Sequence, residues 1–159
     1  MRTQPNTLTS TDMAHETSDA ERLRSSVQTF VRRFGLLLQD QTPCGEPLPT
    51  SHAHALMLLL GAGRPVRQNE LGSGLGIDKS NVARLCAQME ERRHVKQEPD
   101  SEDRRARLVS LTAKGQRVGQ EVKQASEHRF EELLSRIPAT KRAAVFAGLA
   151  ALNEALVAS

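Results

Sequence analysis

Three arginines lie within four residues near the middle of the chain, in the segment PDSEDRRARLVSLTAKG of residues 99–115. They are Arg104, Arg105 and Arg107. Guanidinium groups this close together repel one another, and a polyanion such as the DNA backbone relieves that repulsion. Arginine is also favoured in the minor groove, where negative potential is concentrated. The cluster therefore predicts DNA binding by all three residues.

Three acidic residues, Asp100, Glu102 and Asp103, precede the arginines. Their carboxylates can partly neutralise the cluster in the free protein, and a carboxylate can also hold one guanidinium group in a bidentate pair. We predict that Asp103 orients this segment by fixing one of the three arginines, while another arginine points into the groove.

Positive charge is concentrated around the arginine cluster. The chain of 159 residues has a net charge of +3. Between Arg64 and Arg117, 12 Lys and Arg residues outnumber 8 Asp and Glu residues, so the excess positive charge lies in the middle third. A localised basic region is typical of a protein that binds a polyanion. A solvated basic face is the alternative that charge alone leaves open.

The composition favours a helical domain. Aromatic residues make up 3% of the chain, with no Trp and no Tyr, so aliphatic side chains must fill the core, which suits helices better than sheets. Two cysteines are too few for a disulfide framework. No segment resembles a signal peptide or is long enough to cross a bilayer. We expect a cytoplasmic protein with reduced thiols and no membrane partner.

Hydrophobic periodicity and helix-breaking residues divide the chain into elements. Residues 1–18 are polar and predict a flexible N-terminal arm, and residues 19–159 predict a single domain. The predicted fold class is mostly α with a small β-hairpin. The first predicted helix begins at residue 19 and ends before the helix-breaking segment TPCGEPLP. The other predicted helices cover 51–60, 68–75, 79–93, 113–136 and 139–157, and the predicted strands cover 95–98 and 107–111.

The segment LGSGLGIDKSNVARL contains a tight glycine-rich turn between two helices, which is typical of a helix-turn-helix. Polar residues on the first turns of the second helix face away from its apolar stripe. They are Lys79, Ser80, Asn81 and Arg84. We predict that they contact bases and phosphates, and an ordinary polar helix face is the alternative. Arg64 and Arg67 are further predicted phosphate contacts.

The predicted hairpin has an eight-residue tip, which is longer than reversal of the chain requires. A helix-turn-helix followed by such a hairpin is the winged form of the motif, in which the second helix enters the major groove and the hairpin, or wing, reaches the neighbouring minor groove. Apolar stripes over 23–38 and 145–156 lie at opposite ends of the chain. A compact DNA-binding lobe cannot bury both, so two-fold pairing of two chains is expected to cover them.

The same segments resemble the MarR family of bacterial transcription regulators. Asp103, Arg105, Leu111, Thr112 and Gly115 match the pattern of the family's wing, and ELGSGLGIDKSNVARLCAQMEERRHV resembles its helix-turn-helix. The resemblance implies a homodimer with dimerisation helices in 19–40 and 112–157 and a winged helix-turn-helix in 48–111. Two residues depart from the family pattern. Arg67 stands where a small hydroxyl residue often caps the first motif helix, and His94 stands for a glycine after the second.

The resemblance also implies a small phenolic or aromatic carboxylate effector, bound between the dimer layer and the DNA-binding lobe. Arg32 and His52 are the candidate contacts, and ordinary surface roles are the alternative. We expect no cofactor and no metal, because His52 and His54 are two residues apart and cannot share a helix face. Cys86 lies on an apolar face and is expected to pack in the core, whereas Cys44 is expected to be more exposed. Redox sensing by either thiol is left open.

These observations predict a sequence-specific transcription regulator, a ligand-responsive repressor that binds a pseudo-palindromic promoter site as a homodimer. The alternative is a winged-helix module for protein interaction that does not bind specific DNA. No Ser-His-Asp set, paired carboxylates or glycine-rich phosphate loop stands out, so we do not expect an enzyme.

Overall fold

The computed structural model describes residues 11–38 and 40–157. Six helices and three strands follow one another in this part of the chain. They are α1 Thr11–Phe34, α2 Thr50–Ala62, β1 Val66–Arg67, α3 Gln68–Leu75, α4 Lys79–Glu91, β2 Val95–Pro99, β3 Arg107–Leu111, α5 Ala113–Ser135 and α6 Ala139–Val157. The predicted fold class, mostly α with a small hairpin wing, is confirmed.

Most of the predicted elements are found, and the differences lie at the N-terminus and in the sheet. Helix α1 begins at Thr11, inside the predicted arm, and residues 1–10 of that arm lie outside the described residues. Helix α1 ends before Gly35, whose φ of +89° is outside the helical range. The two-residue strand β1 was not predicted, because two residues carry no periodicity.

The three strands form an antiparallel sheet in the order β1-β3-β2. Val109 of the central strand pairs with Val66 on one side and with Gln97 on the other. Val109 is fully buried, whereas residues 101–105 at the wing tip are exposed. The base of the wing is therefore anchored in the core while its tip extends into solvent.

The core lies between α2, the helix-turn-helix, the sheet and the first half of α5, and it is built from aliphatic side chains, Cys86 and Met89. Its fully buried members include Leu56, Leu71 and Val122. This composition agrees with the expectation from the low aromatic content. Cys86 is fully buried, as predicted, and its burial raises the pKa of the thiol to about 11.

The junction between wing and α5 explains the Leu-Thr and Gly positions of the sequence pattern. Thr112 caps α5, since its side chain accepts a hydrogen bond from the Gly115 N–H at 3.0 Å. The same hydroxyl donates to the carbonyl oxygen of Arg93 at 2.6 Å. A Cβ at Gly115 would lie 1.8 Å from the carbonyl oxygen of His94. Only glycine allows α5 to start this close to the end of α4.

Helices α1 and α6 leave apolar side chains in solvent. Leu23 and Phe30 on α1 are 55% and 53% exposed, and Phe146 on α6 is 59% exposed. No described residue of α6 is buried. Helix α1 is held to α5 by Phe34, whose ring centroid lies 5.7 Å from that of Phe130. The apolar residues of the two predicted stripes are therefore uncovered in a single chain, those of the first on α1 and in the turn after it and those of the second on α6.

Among the described residues, none of the helices is both long enough and apolar enough to span a membrane.

His52 lies in the core rather than on the surface. It is 2% exposed, and neither ring nitrogen has a hydrogen-bond partner among the described residues. Burial, followed by the positive charges of Arg92 and His94, lowers the pKa of His52 to about 4. The folded state therefore favours the neutral imidazole.

We predict that stability falls as the pH drops from about 6.5 towards 4, because the unfolded chain then binds a proton at His52 that the folded chain excludes. From the pKa values of 6.5 and about 4, the loss attributable to this residue is about 3 kcal/mol. Urea unfolding at pH 7.5 and pH 4.5 measures most of this loss. The variant His52→Leu should lose less stability between the two pH values than the parent, and a His128→Leu control at an exposed position should behave like the parent. An identical pH dependence in His52→Leu would contradict the prediction.

Candidate nucleic-acid interface

The start of α4 is organised by Asp78. Its carboxylate accepts hydrogen bonds from the Asn81 backbone N–H at 2.8 Å, the Ser80 hydroxyl at 2.7 Å and the Asn81 side-chain amide at 2.6 Å. The bond from the Asn81 N–H is the main reason why the pKa of Asp78 is lowered. Asp78 is thus the N-cap of α4, and it also holds two of the predicted DNA-binding side chains.

Arg84 continues this chain of contacts, since its guanidinium donates to the side-chain oxygen of Asn81. Lys79, Ser80 and Arg84 are exposed, whereas Val82 on the opposite side of α4 is buried. The four predicted α4 residues therefore share one solvent-facing surface. Three of them are held in place by hydrogen bonds before any ligand is present.

A groove between α4 and the wing brings the two predicted sets together. It has a volume of about 240 Å³ and is lined by Lys79 from α4 and by Arg105 and Arg107 from the wing. Gln68 and Asn69, at the start of α3, and the acidic Asp103 of the wing also line it. Arg104 is exposed at the wing tip and does not line the groove. Two separate stretches of sequence thus present cations along a single surface.

Asp103 lies at the wing tip, but it orients the tip through the backbone. Its side chain accepts a hydrogen bond from the Arg105 N–H at 3.0 Å, and its carbonyl oxygen accepts one from the Ala106 N–H at 2.8 Å. Asp103 forms no ion pair with Arg104, Arg105 or Arg107 in the described structure, so the predicted guanidinium contact is not found. An Asp side chain is short enough to accept from an N–H two residues ahead, and this local bond prevails.

Arg67 and Arg64, the predicted phosphate contacts, are both paired with carboxylates. Arg67 Nε lies 2.6 Å from Asp100 Oδ2, and Arg64 Nη2 lies 2.6 Å from Glu70 Oε1. Asp100 is 4% exposed, so the wing carboxylate that fixes an arginine is Asp100 and the arginine comes from β1. The sequence analysis predicted a contact within the wing instead. Arg67 and Asp100 are 33 residues apart, so no local sequence pattern links them.

The end of α4 shows that the position predicted to favour glycine is Arg93 and not His94. The helix ends at Glu91 with Arg92 as its C-cap, and Arg93 has a φ of +60°, the only positive φ of a non-glycine residue in the described part of the chain. The His94 N–H donates to the Met89 carbonyl oxygen and the Arg93 N–H donates to the Glu90 carbonyl oxygen, as in a Schellman cap. The position that favours glycine is therefore 93, and the helix end is regular.

Replacing Arg93 by glycine is predicted to stabilise the fold. The left-handed conformation costs a non-glycine residue roughly 1–2 kcal/mol, and glycine gives back part of that gain through its larger entropy in the unfolded chain. We expect Arg93→Gly to raise the free energy of unfolding by about 0.5–1 kcal/mol in urea titrations. The neighbouring variant Arg92→Gly should lower it, because Arg92 has an ordinary φ of −76°. Equal destabilisation by both variants would contradict the assignment.

A second cavity lies between the C-terminal end of α1, the 42–44 loop, α2 and α5. Its volume is about 320 Å³, and its wall is mostly apolar. Polar groups on the wall include His54, Arg129 and Thr50, and the Arg129 Nε and Thr50 Oγ1 are buried without a partner in the described structure. Cys44 also lies on the wall, with its sulfur 3.0 Å from the hydroxyl of Thr42.

Neither predicted effector contact lines this cavity. His52 turns into the core, because residues 52 and 54 are two positions apart on a helix and point to different sides, and His54 faces the cavity instead. Arg32 is exposed on α1 and donates to the hydroxyl of Thr29 at 3.2 Å. Sequence reasoning missed Arg129, since a single arginine on a long polar helix face gives no signal. Among the described residues, no group of three or more His, Cys, Asp or Glu side chains could hold a metal ion.

A helix-turn-helix packed on a three-stranded sheet, with a basic hairpin beside its second helix, defines a winged helix-turn-helix protein. A family model described as the MarR family matches residues 47–106. The match covers the predicted winged helix-turn-helix segment and agrees with the resemblance to that family. Members of this family are DNA-binding transcription regulators and not enzymes.

Solved structures share the fold over nearly the whole chain. The PcaV transcriptional regulator from Streptomyces coelicolor is 19% identical, with a TM-score of 0.68 over 89% of this chain and 98% of that one. BpsR from Bordetella bronchiseptica, described with regulation of its DNA binding by 6-hydroxynicotinic acid, is 19% identical, with a TM-score of 0.63 over 86% and 98%. FabT from Streptococcus pneumoniae in complex with DNA is 17% identical, with a TM-score of 0.61 over 91% and 96%. No curated protein sequence matches this chain.

Proposed function

We propose that this protein is a ligand-responsive transcriptional repressor that binds a pseudo-palindromic promoter site as a homodimer. The observation that carries the proposal is the groove in which Lys79 of α4 and Arg105 and Arg107 of the wing face the same surface. A helix and a hairpin with cations on one face suit the major groove and the neighbouring minor groove of a duplex. We also predict that the protein works in the cytoplasm.

The homodimer is supported by the apolar stripes on α1 and α6. Leu23, Phe30, Phe146 and Leu149 are each about half exposed in one chain. Exposed large apolar side chains in this number on two helices are typical of an interface. A two-fold interface formed by α1 and α6 would repeat the recognition helix α4 roughly 34 Å away, which is one turn of B-form DNA. Binding of such a dimer across a promoter would exclude polymerase.

Lys79, Ser80, Asn81 and Arg84 are the proposed contacts in the major groove, and Arg105 and Arg107 are the proposed contacts of the wing. Asn81 and Arg84 present the amide and guanidinium groups that suit adenine and guanine. Arg104, exposed at the tip, is proposed to meet phosphate or the minor groove. Arg64 remains a proposed phosphate contact that would have to leave Glu70, whereas Arg67 is held by the buried Asp100.

The salt dependence of binding tests the DNA contacts. The variant Arg104→Ala/Arg105→Ala/Arg107→Ala removes the three wing charges. It should bind more weakly to the DNA upstream of the gene that encodes the protein. It should also reduce the log–log salt slope by about 0.9 for each phosphate that the variant no longer neutralises. Fluorescence anisotropy at several salt concentrations measures both. A control variant, Arg117→Ala/Lys123→Ala/Arg136→Ala, removes the same charge from exposed positions on the 113–136 segment and should keep most of the slope. Equal effects of the two variants would contradict the wing contacts.

The effector is proposed to be a small aromatic carboxylate held in the cavity lined by Arg129 and His54. Its apolar wall suits an aromatic ring. Arg129 has only a long ion pair, with Nη1 4.0 Å from Glu132 Oε2, and its Nε has no partner in the described structure, so the guanidinium suits a carboxylate. Binding would bias the spacing of the two recognition helices, because the cavity lies between α5 and the DNA-binding lobe. The effector contact predicted for Arg32 and His52 is thereby moved to residues on the cavity wall.

Thermal shift and anisotropy with benzoate and 6-hydroxynicotinate test the effector site. We expect one of these anions to raise the melting temperature and to weaken DNA binding of the parent protein. Arg129→Gln should abolish both effects, and Lys123→Gln, at an exposed position of the same helix, should keep them. Responses of equal size in the parent and in Arg129→Gln would contradict the assignment of Arg129.

A further inference from the structure

Asp100 joins the wing to the first half of the helix-turn-helix. One carboxylate oxygen, Oδ1, accepts a hydrogen bond from the Glu102 backbone N–H at 2.9 Å, and the other, Oδ2, accepts from Arg67 Nε at 2.6 Å. The Asp100 N–H also donates to the Ala106 carbonyl oxygen across the wing at 3.0 Å. The bond from Glu102 and the bond from Arg67 lower the pKa of Asp100, so its carboxylate is charged at neutral pH. A buried, charged side chain thus closes the wing turn and holds a cation from another element.

Arg67 is the residue immediately before α3. It occupies the N-cap position, but its side chain makes no capping hydrogen bond, in contrast to the Asp78 cap of α4. Its guanidinium points across to the wing, where Nη2 also lies 3.2 Å from the exposed carboxylate of Glu102. The cap that a small hydroxyl residue would supply is given up at this position, and a link between β1 and the wing takes its place.

A second polar link runs parallel to the first. The Gln68 side chain donates to the Gln97 side chain on β2 at 2.6 Å, and Gln97 in turn donates twice to the carboxylate of Glu90 on α4, from its backbone N–H and from its side chain, both at 2.9 Å. The start of α3, the wing and the recognition helix are therefore joined by adjacent hydrogen-bonded contacts.

We propose that Arg67 is a positioning residue, which with Asp100 locks the wing at a fixed angle to the helix-turn-helix so that the wing cations and α4 meet one duplex together. This inference rests on the proposed DNA binding. It replaces the phosphate contact predicted for Arg67, because moving that guanidinium to a phosphate would leave the Asp100 carboxylate buried without its cation, which is strongly unfavourable.

The positioning role and the phosphate-contact role of Arg67 predict opposite effects of Asp100→Asn on DNA binding. If Arg67 positions the wing, then Arg67→Gln and Asp100→Asn should each weaken specific binding about tenfold. The double variant should then be no weaker than either single one, because both substitutions break the same link. The salt slope should stay at the parent value in Arg67→Gln. If Arg67 contacts phosphate, its removal should reduce the slope by about 0.9, and Asp100→Asn should strengthen binding by releasing the arginine. That result would overturn the proposal.

Hydrogen exchange of the free protein tests the lock without DNA. In Arg67→Gln the backbone amides of Glu102 and Asp100 should exchange about tenfold faster than in the parent, while the amide of Val109 in the buried strand should not change. Glu98→Gln is the matched control, since it breaks the Lys96–Glu98 ion pair within the wing strand without reaching α3. Parent-like exchange at Glu102 in Arg67→Gln would overturn the lock even if the parent binds DNA.

The two experiments also separate failure of the lock from failure of the proposed function. A parent protein that binds no DNA but shows the faster exchange in Arg67→Gln would overturn the regulatory function and leave the lock in place. Should Asp100→Asn fail to fold, Arg67→Lys provides the second variant. It keeps the charge but lacks the planar guanidinium, so it should restore protection from exchange only in part. Exchange as fast in Arg67→Lys as in Arg67→Gln would contradict a role for the charge.

Discussion

The pairing of β1 with β3 is the constraint on which the arrangement of this molecule depends. A two-stranded hairpin is marginally stable on its own, and the wing gains its support from a third strand of only two residues, Val66 and Arg67, against the buried Val109. The first residue of β1 contributes to the core, and the second reaches Asp100 in the wing. Because α3 begins at the next residue, the wing and the helix-turn-helix have a fixed relation that neither would have by itself.

The second constraint is the uneven distribution of burial along the chain. The central elements from α2 to the first half of α5 form an aliphatic core, whereas α1 and α6 have apolar stripes that one chain does not cover. The same sequence therefore specifies a lobe that is complete in a single chain and a layer that requires another surface. This division agrees with the proposed role, in which the lobe reads DNA and the layer sets the distance between two lobes.

Much of the fold could be predicted because its signals are local. The ranges of α3, β3 and α6 depend on residues within one or two turns, and the predicted ranges 68–75, 107–111 and 139–157 are those of the structure. The pairing of Arg67 with Asp100 and the inward direction of His52 depend on how distant segments pack, which no local pattern contains. The same holds for Arg129, whose place on the cavity wall arises only when α5 packs against α2. The glycine-favouring conformation of Arg93 was assigned to the next residue, because the sequence does not fix where a helix ends to within one position.

Hydroxyl-radical footprinting of the purified protein on its own upstream DNA tests the central claim most directly, that two copies of a recognition helix and its locked wing meet the same side of one duplex. We expect two protected blocks related by two-fold symmetry, with centres about 10 base pairs apart, flanked by protection of the adjacent minor grooves where the wings lie. A single protected block, or protection without sequence preference at physiological salt, would contradict the claim.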